Sequence, residues 1–263
     1  MDLAQVFSGF AVGAIVGITG VGGGSLMTPL LVLLFGIAPA TAVGTDLLYA
    51  AITKAGGTVV HARRGNVDWR IVALLASGSL PAVALTLFLV ARFAPSGLIG
   101  ARIISGSLGV ALLLTAIALL LRHRLQSWAQ ARAGADAATG AARRARLGVL
   151  TVLTGAALGT LVSLSSVGAG ALGVTALLFL YPRLASIRIV GADLAHAVPL
   201  TLVAGLGHWW LGSVDWRLLA TLLVGSLPGI FLGSHLAHRL PEQVLRPTLA
   251  GMLVLVGTKL LAG

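Results

Sequence analysis

Asp46, Lys54, Asp193 and His196 lie inside long apolar runs of this chain, where an ionisable group is out of place. A charge at the centre of a membrane helix costs about 2.5–3.5 kcal/mol on insertion scales, so such residues face a cavity or a partner. The other lysine, Lys259, is close to the C-terminus. A lone cation in mid-span suits contact with an anion, and pairing with Asp193 is the plain structural alternative. Asp46 and Lys54 are about 12 Å apart along a helix, too far for an intrahelical pair. His196 follows Asp193 on the same helical face. Histidine titrates near neutrality, so the two could relay a proton; a satisfied interior histidine is the plainer reading. Asp46, Asp193 and His196 form the candidate coupling or gating group.

Two glycine-rich stretches add a second chemistry. "GITGVGGGSLMTP" runs from Gly17 to Pro29, and "SLSSVGAG" runs from Ser163 to Gly170. A helix that begins inside a membrane points unpaired N–H groups and its positive dipole end at whatever lies beyond it. Glycine lets that backbone approach a ligand. Gly22, Gly23, Gly24, Gly168 and Gly170 are therefore candidates for an anion nest. Ser25 could cap the second leg, or Thr28 could, with Pro29 then in the favoured first helical position. Ser165 and Ser166 offer hydroxyls where the first stretch has glycine, and Thr45 adjoins Asp46, which could itself cap a helix. An isolated glycine pair means close helix packing; a dense cluster occurring twice favours a site.

The elements that must hold these residues are membrane helices. The chain is 57% hydrophobic and 10% charged, against about 25% charged in soluble domains. Its apolar runs, such as 40–60, 71–91, 103–121 and 147–164, match a hydrocarbon core of about 30 Å. The net charge of +11 comes from arginines in short loops beside those runs, a topology signal rather than a nucleic-acid surface. Without cysteine there is no disulfide framework and no thiolate metal site. Met1-Asp2 opens no basic n-region, so no cleaved signal peptide is expected.

The chain repeats itself. At an offset of 147, Asp46 falls on Asp193, His61 on His208, Val67–Arg70 on Val214–Arg217, and Gly78–Pro81 on Gly225–Pro228. Each half reads as a glycine-broken pair of short legs followed by three spans. Leu26–Gly36 is too short to cross alone. If the broken pair is a hairpin, the halves are inverted, and 13 of the 17 cations other than Lys54 share one face; a single crossing splits them 10 to 7. The positive-inside rule selects the hairpin. Arg63-Arg64 becoming Trp210-Leu211 in the second half agrees with opposite facing. The expected fold is all-α: a polytopic membrane protein of two inverted repeats, 1–122 and 147–263, joined by a mobile cytoplasmic Ala/Arg-rich linker, 123–146, with both termini periplasmic. Asp68 and Asp215 suit helix N-caps, and Trp69 and Trp216 suit the interfacial aromatic belt. His61 and His208 read as interfacial, and Pro81 and Pro228 as kinks.

The glycine-rich hairpin, the "VGTD" of Val43–Asp46 with its echo "VGAD" at Val190–Asp193, the two halves and the "VDWR" turns resemble the TauE/SafE family of sulfite exporters. The resemblance covers essentially the whole chain. It implies an inner-membrane anion transporter of six to ten helical segments, with sulfite, a small organosulfonate or a carboxylate as substrate. The second break departs from the pattern, reading Gly-Ala-Gly without the triple glycine.

No Gly-Lys-Ser/Thr of a Walker A loop is present, so ATP does not drive the chain directly. Gly20–Ser25 lacks the last glycine of a dinucleotide fingerprint and follows no strand. No cofactor and no metal are expected. The expected partners are a small anion and the bilayer. A transporter exporting a small anion is the leading reading, with ion-coupled uptake as its alternative. An intramembrane aspartyl enzyme is the reading from another class, and the chain lacks His-Glu-x-x-His, Gly-x-Ser-x-Gly and Gly-x-Gly-Asp.

Overall fold

The computed structural model describes residues 3–19, 24–93, 98–135, 141–236 and 242–262. Ten helices run through them: α1 Leu3–Thr19, α2 Gly24–Leu33, α3 Pro39–Arg63, α4 Trp69–Phe93, α5 Leu98–Ala135, α6 Ala141–Ser165, α7 Ala171–Leu180, α8 Ser186–Trp210, α9 Trp216–Leu236 and α10 Glu242–Ala262. No strand occurs among the described residues. Five helices are long and apolar enough to cross a bilayer, including α4, α8 and the membrane part of α5. The chain is an all-α polytopic membrane protein.

The repeat is visible in the element bounds. α2 and α7, α3 and α8, and the starts of α4 and α9 are each separated by 147 residues. The turns agree as well. Asn66 N–H donates to the His61 carbonyl and Ser213 N–H to that of His208, through Gly65 and Gly212 at φ +67° and +73°. Asp68 and Asp215 cap α4 and α9 as expected, accepting from Ile71 N–H and Leu218 N–H.

The halves pack by exchanging equivalent contacts. α1 lies along α9, with Gly9 against the Leu222 backbone and Gly13 against Ser226. α6 lies along α4 in the same way, with Gly155 against Leu75 and Gly159 against Ser79. A Cβ at any of the four would meet backbone, so these glycines serve close helix approach. α3 and α8 pair centrally and run antiparallel: Leu48 meets Gly205, while Leu194 meets Gly57.

In the second half the broken pair turns back on itself. Thr151, early in α6, and Tyr181, just past α7, share a hydrogen bond of 2.7 Å between their hydroxyls. α7 has 10 residues, about 15 Å of helix and half a hydrocarbon core.

Charge is segregated by these packings. Trp128 of α5 stacks on Phe179 of α7 at 5.4 Å, and Arg188 meets Asp68 at 3.5 Å. The ends bearing Arg63, Arg64, Arg70, Arg124, Arg144, Arg146, Arg183 and Arg188 thus come together. Arg102, Arg217 and Lys259 lie at the other end, where Gly109 meets Leu261 and Gly44 meets Ser213.

Residues 123–146 are helical wherever they are described, since α5 continues to Ala135 and α6 starts at Ala141. α4 and α9 run on through Pro81 and Pro228. One expectation changes. His208 is buried rather than interfacial, its Nε2 at 2.8 Å from the Ser163 carbonyl.

Candidate functional site

The second break is built by a short run of unusual backbone. α6 ends at Ser165, and Ser166 takes φ +58°, the one positive φ outside glycine among the described residues. Gly168 and Gly170 follow at +119° and +140°, a region closed to side-chain-bearing residues. Ser165 holds the turn from inside: its hydroxyl donates to the Leu161 carbonyl at 2.7 Å and accepts Val167 N–H at 3.2 Å. Ser163, Ser165, Ser166 and Val167 are all buried.

This break leaves two unlike ends. Gly173 N–H and Val174 N–H are taken by the Gly168 and Gly170 carbonyls. The N–H groups of Gly168, Ala169, Gly170, Ala171 and Leu172 find no acceptor among the described residues. They form the positive end of α7. At the opposite end, where α6 stops, the Ser165 and Ser166 carbonyls receive no donor among the described residues.

α3 of the first half delivers its ionisable residues to this break. Lys54 is buried, and its ammonium donates to the Ala169 carbonyl. It makes no ion pair with either aspartate among the described residues, so the bridge to Asp193 is absent, although both carboxylates lie within its electrostatic reach. Asp46 is fully buried, eight residues into α3, and caps nothing. Its Oδ2 accepts the Thr28 hydroxyl at 2.5 Å, and its Oδ1 has no partner. Ser166 lies against the same carboxylate without completing a hydrogen bond.

Asp193 and His196 face another wall. Asp193 Oδ1 has no hydrogen-bond partner and rests where a Cβ on Gly173 would be, 1.8 Å from that position. His196 Nε2 shares a hydrogen bond of 2.8 Å with Ser79 of α4, while its Nδ1 is buried and unpartnered. The interior-histidine reading is met at one nitrogen only.

Thr28 does not cap α2. That helix begins at Gly24, so Pro29 stands inside it and the Thr28 side chain is free to reach Asp46. Thr45 is carried away from the break: its hydroxyl accepts Asp215 N–H at 3.0 Å, tying α3 to the start of α9. Gly22, Gly23 and the Ser25 side chain lie outside the described residues. Lys54, Ser165, Ser166, Gly168 and Gly170 are brought together, with Asp46 and Thr28 beside them.

Tyr49, Ser79 and Gly173 belong to this constellation and were not singled out from the sequence. Tyr49 is the repeat partner of His196 at the same offset of 147. It is 1% exposed and its hydroxyl lies near Ser226, the repeat partner of Ser79. Applying the offset to each intramembrane polar residue would have found it.

A broken helix flanked by buried charges, inside a repeated helical membrane bundle, is the build of a membrane transporter. The description of the sulfite exporter TauE/SafE family matches residues 6–260, and the chain belongs to that family. It is 38% identical over 261 residues to the probable membrane transporter protein YjnA of Bacillus subtilis (strain 168), covering 99% of this chain and all of the relative. It is 30% identical to the probable membrane transporter protein YdhB of the same organism, covering 94% and 97% of the two chains. A probable membrane transporter protein of Xylella fastidiosa (strain Temecula1 / ATCC 700964) is 30% identical, over 90% of this chain and 85% of its own. No solved structure matches. The chain is a multi-pass membrane transporter for a small molecule, not an enzyme.

Proposed function

We propose that the chain exports a small anion, sulfite or a related organosulfonate, across the bacterial inner membrane. The observation that carries this is Lys54 beside Ala169: one buried ammonium at the unsatisfied positive end of a half-helix. Free N–H groups inside a bilayer are costly unless a ligand or water meets them. An anion satisfies them and the ammonium together. Sulfite as the particular anion rests on the family description.

Two inverted repeats, 1–122 and 147–263, place this site between them, with the arginine-rich end and residues 123–146 in the cytoplasm and both termini in the periplasm. The antiparallel α3–α8 pair supports inversion, and the positive-inside rule supports the facing. An anion leaving the cell moves with the membrane potential, which supplies about 2.3 kcal/mol per charge per 100 mV. Export then needs no coupling ion. A second reading, ion-coupled uptake, is favoured by two buried carboxylates, Asp46 and Asp193, set against one ammonium.

Transport by the purified chain in proteoliposomes tests the proposal, with sulfite, sulfate, thiosulfate, sulfoacetate and lactate compared under a set potential. Saturable, voltage-driven sulfite movement is expected. Movement of lactate alone would refute the sulfur-oxyanion assignment, and movement of none would refute anion transport.

A further inference from the structure

Thr28 and Thr175 are repeat partners, as are Asp46 and Asp193, yet the two pairs are joined differently. Thr28 donates its hydroxyl to Asp46 at 2.5 Å. Thr175, also buried, turns its hydroxyl back to the Ala171 carbonyl of its own helix at 2.7 Å. Asp193 Oδ1 is left without a donor and lies against Gly173 instead. Gly173 and Thr175, two residues apart, are separated by about 200° around a helix. α7 therefore shows Asp193 the face opposite to the one that α2 shows Asp46. From this asymmetry we propose that α7 has a second seat against α8, in which it turns about its axis and Thr175 replaces Gly173 at Asp193.

The residue in the position of Gly173 decides which half has the choice. Its repeat partner is Leu26, buried in the apolar core. Even a Cβ at Gly173 would fall on the Asp193 carboxylate, so a leucine there closes the seat that α7 occupies. α2 is thus confined to the threonine seat. α7 carries both the glycine and the threonine and fits either. Its base can turn, because Gly168 and Gly170 stand just ahead of it at φ +119° and +140°, and glycine absorbs large changes of backbone angle. A buried carboxylate oxygen without a donor is costly, and the Thr175 hydroxyl removes that cost in the second seat. The first seat has its own holds. Phe179, one turn beyond Thr175 on the same face, stacks on Trp128, and Tyr181 bonds Thr151. Each seat gives up a contact that the other makes, as two states of similar energy require.

The N–H groups of Gly168–Leu172 that find no acceptor among the described residues lie at the base of α7, so turning α7 re-aims them. The consequence for transport rests on the anion reading above: the turn presents the anion's donors to the two sides of the break in succession, a step of alternating access.

A double-mutant cycle on the full chain in detergent tests the second seat without any substrate. Thr175→Val alone should barely move the unfolding temperature, since the hydroxyl serves only its own helix. Gly173→Ala disfavours the first seat, so Thr175→Val in that background should lower the unfolding temperature by about 2–4 °C more. If Gly173→Ala fails to fold, sulfite movement in proteoliposomes decides. Thr175→Val should slow it about tenfold, and Thr175→Ser should keep it. Additive losses in the cycle, or wild-type sulfite rates in a folded Thr175→Val protein, overturn the second seat. A coupled cycle in a chain that moves no anion upholds the second seat and refutes the anion reading.

Discussion

The Lys54 ammonium donates its hydrogen bond to the carbonyl of Ala169, joining the middle of α3 to the broken backbone of the other half. The bond sets Lys54 against the five N–H groups of Gly168–Leu172, at and just before the start of α7, that find no acceptor among the described residues. A cation and a set of backbone donors meet at one place only because the two halves interlock.

Replacing Lys54 by Gln should weaken anion binding more than folding. A hydrogen bond to a charged group contributes about 1.5–3 kcal/mol, so affinity should fall by roughly tenfold to a hundredfold. Sulfite titration into the purified variant, with size-exclusion elution as the check on folding, reads this out. A folded Lys54→Gln protein with wild-type affinity would remove Lys54 from the site.

Gly173 and Asp193 should be coupled. A methyl group at Gly173 would fall 1.8 Å from Asp193 Oδ1, and forcing a side chain into a filled position costs about 1–3 kcal/mol. Gly173→Ala should therefore lower the unfolding temperature. The same change in an Asp193→Ala background should cost less. Equal losses in both backgrounds would show that the carboxylate is not the obstacle.

Thr28→Val should leave Asp46 Oδ2 without its donor, at a cost of about 1–3 kcal/mol, whereas Thr28→Ser should retain the bond. Thermal unfolding of the pair makes the comparison. If serine proves as harmful as valine, the hydroxyl of Thr28 matters less than its packing.

Topology can be read directly because the chain has no cysteine. Ser127→Cys, near the arginine-rich end, should react with an impermeant thiol reagent only from the cytoplasm. Thr258→Cys, near the opposite end, should react only from outside. Labelling of both from one face would reject the inverted arrangement.

Much of the architecture is local and so was legible in the sequence. Apolar run length fixes which segments span a bilayer, because every buried peptide group must bond within its own helix. The offset of 147 predicts matching helices, and the capping roles of Asp68 and Asp215 are decided within three residues of each. The charges within the spans marked Asp46, Lys54, Asp193 and His196 by type alone.

Partners were another matter, since they are set by which helices touch. Thr28 stood beside Ser25 as one of two candidate caps because Pro29 follows it, yet α2 starts earlier and the hydroxyl crosses to Asp46. Thr45 stands next to Asp46 in the chain and points to the far end of the molecule, toward Asp215 N–H. Tyr49 looked like one more apolar-run residue until α9 placed Ser226 beside it. The sequence by itself determined the helices, their duplication and the residue types that carry charge. The packing of α3 and α8 against the opposite half decided which of those residues share a site, because side chains 115 residues apart, such as Lys54 and Ala169, meet only once the repeats dock.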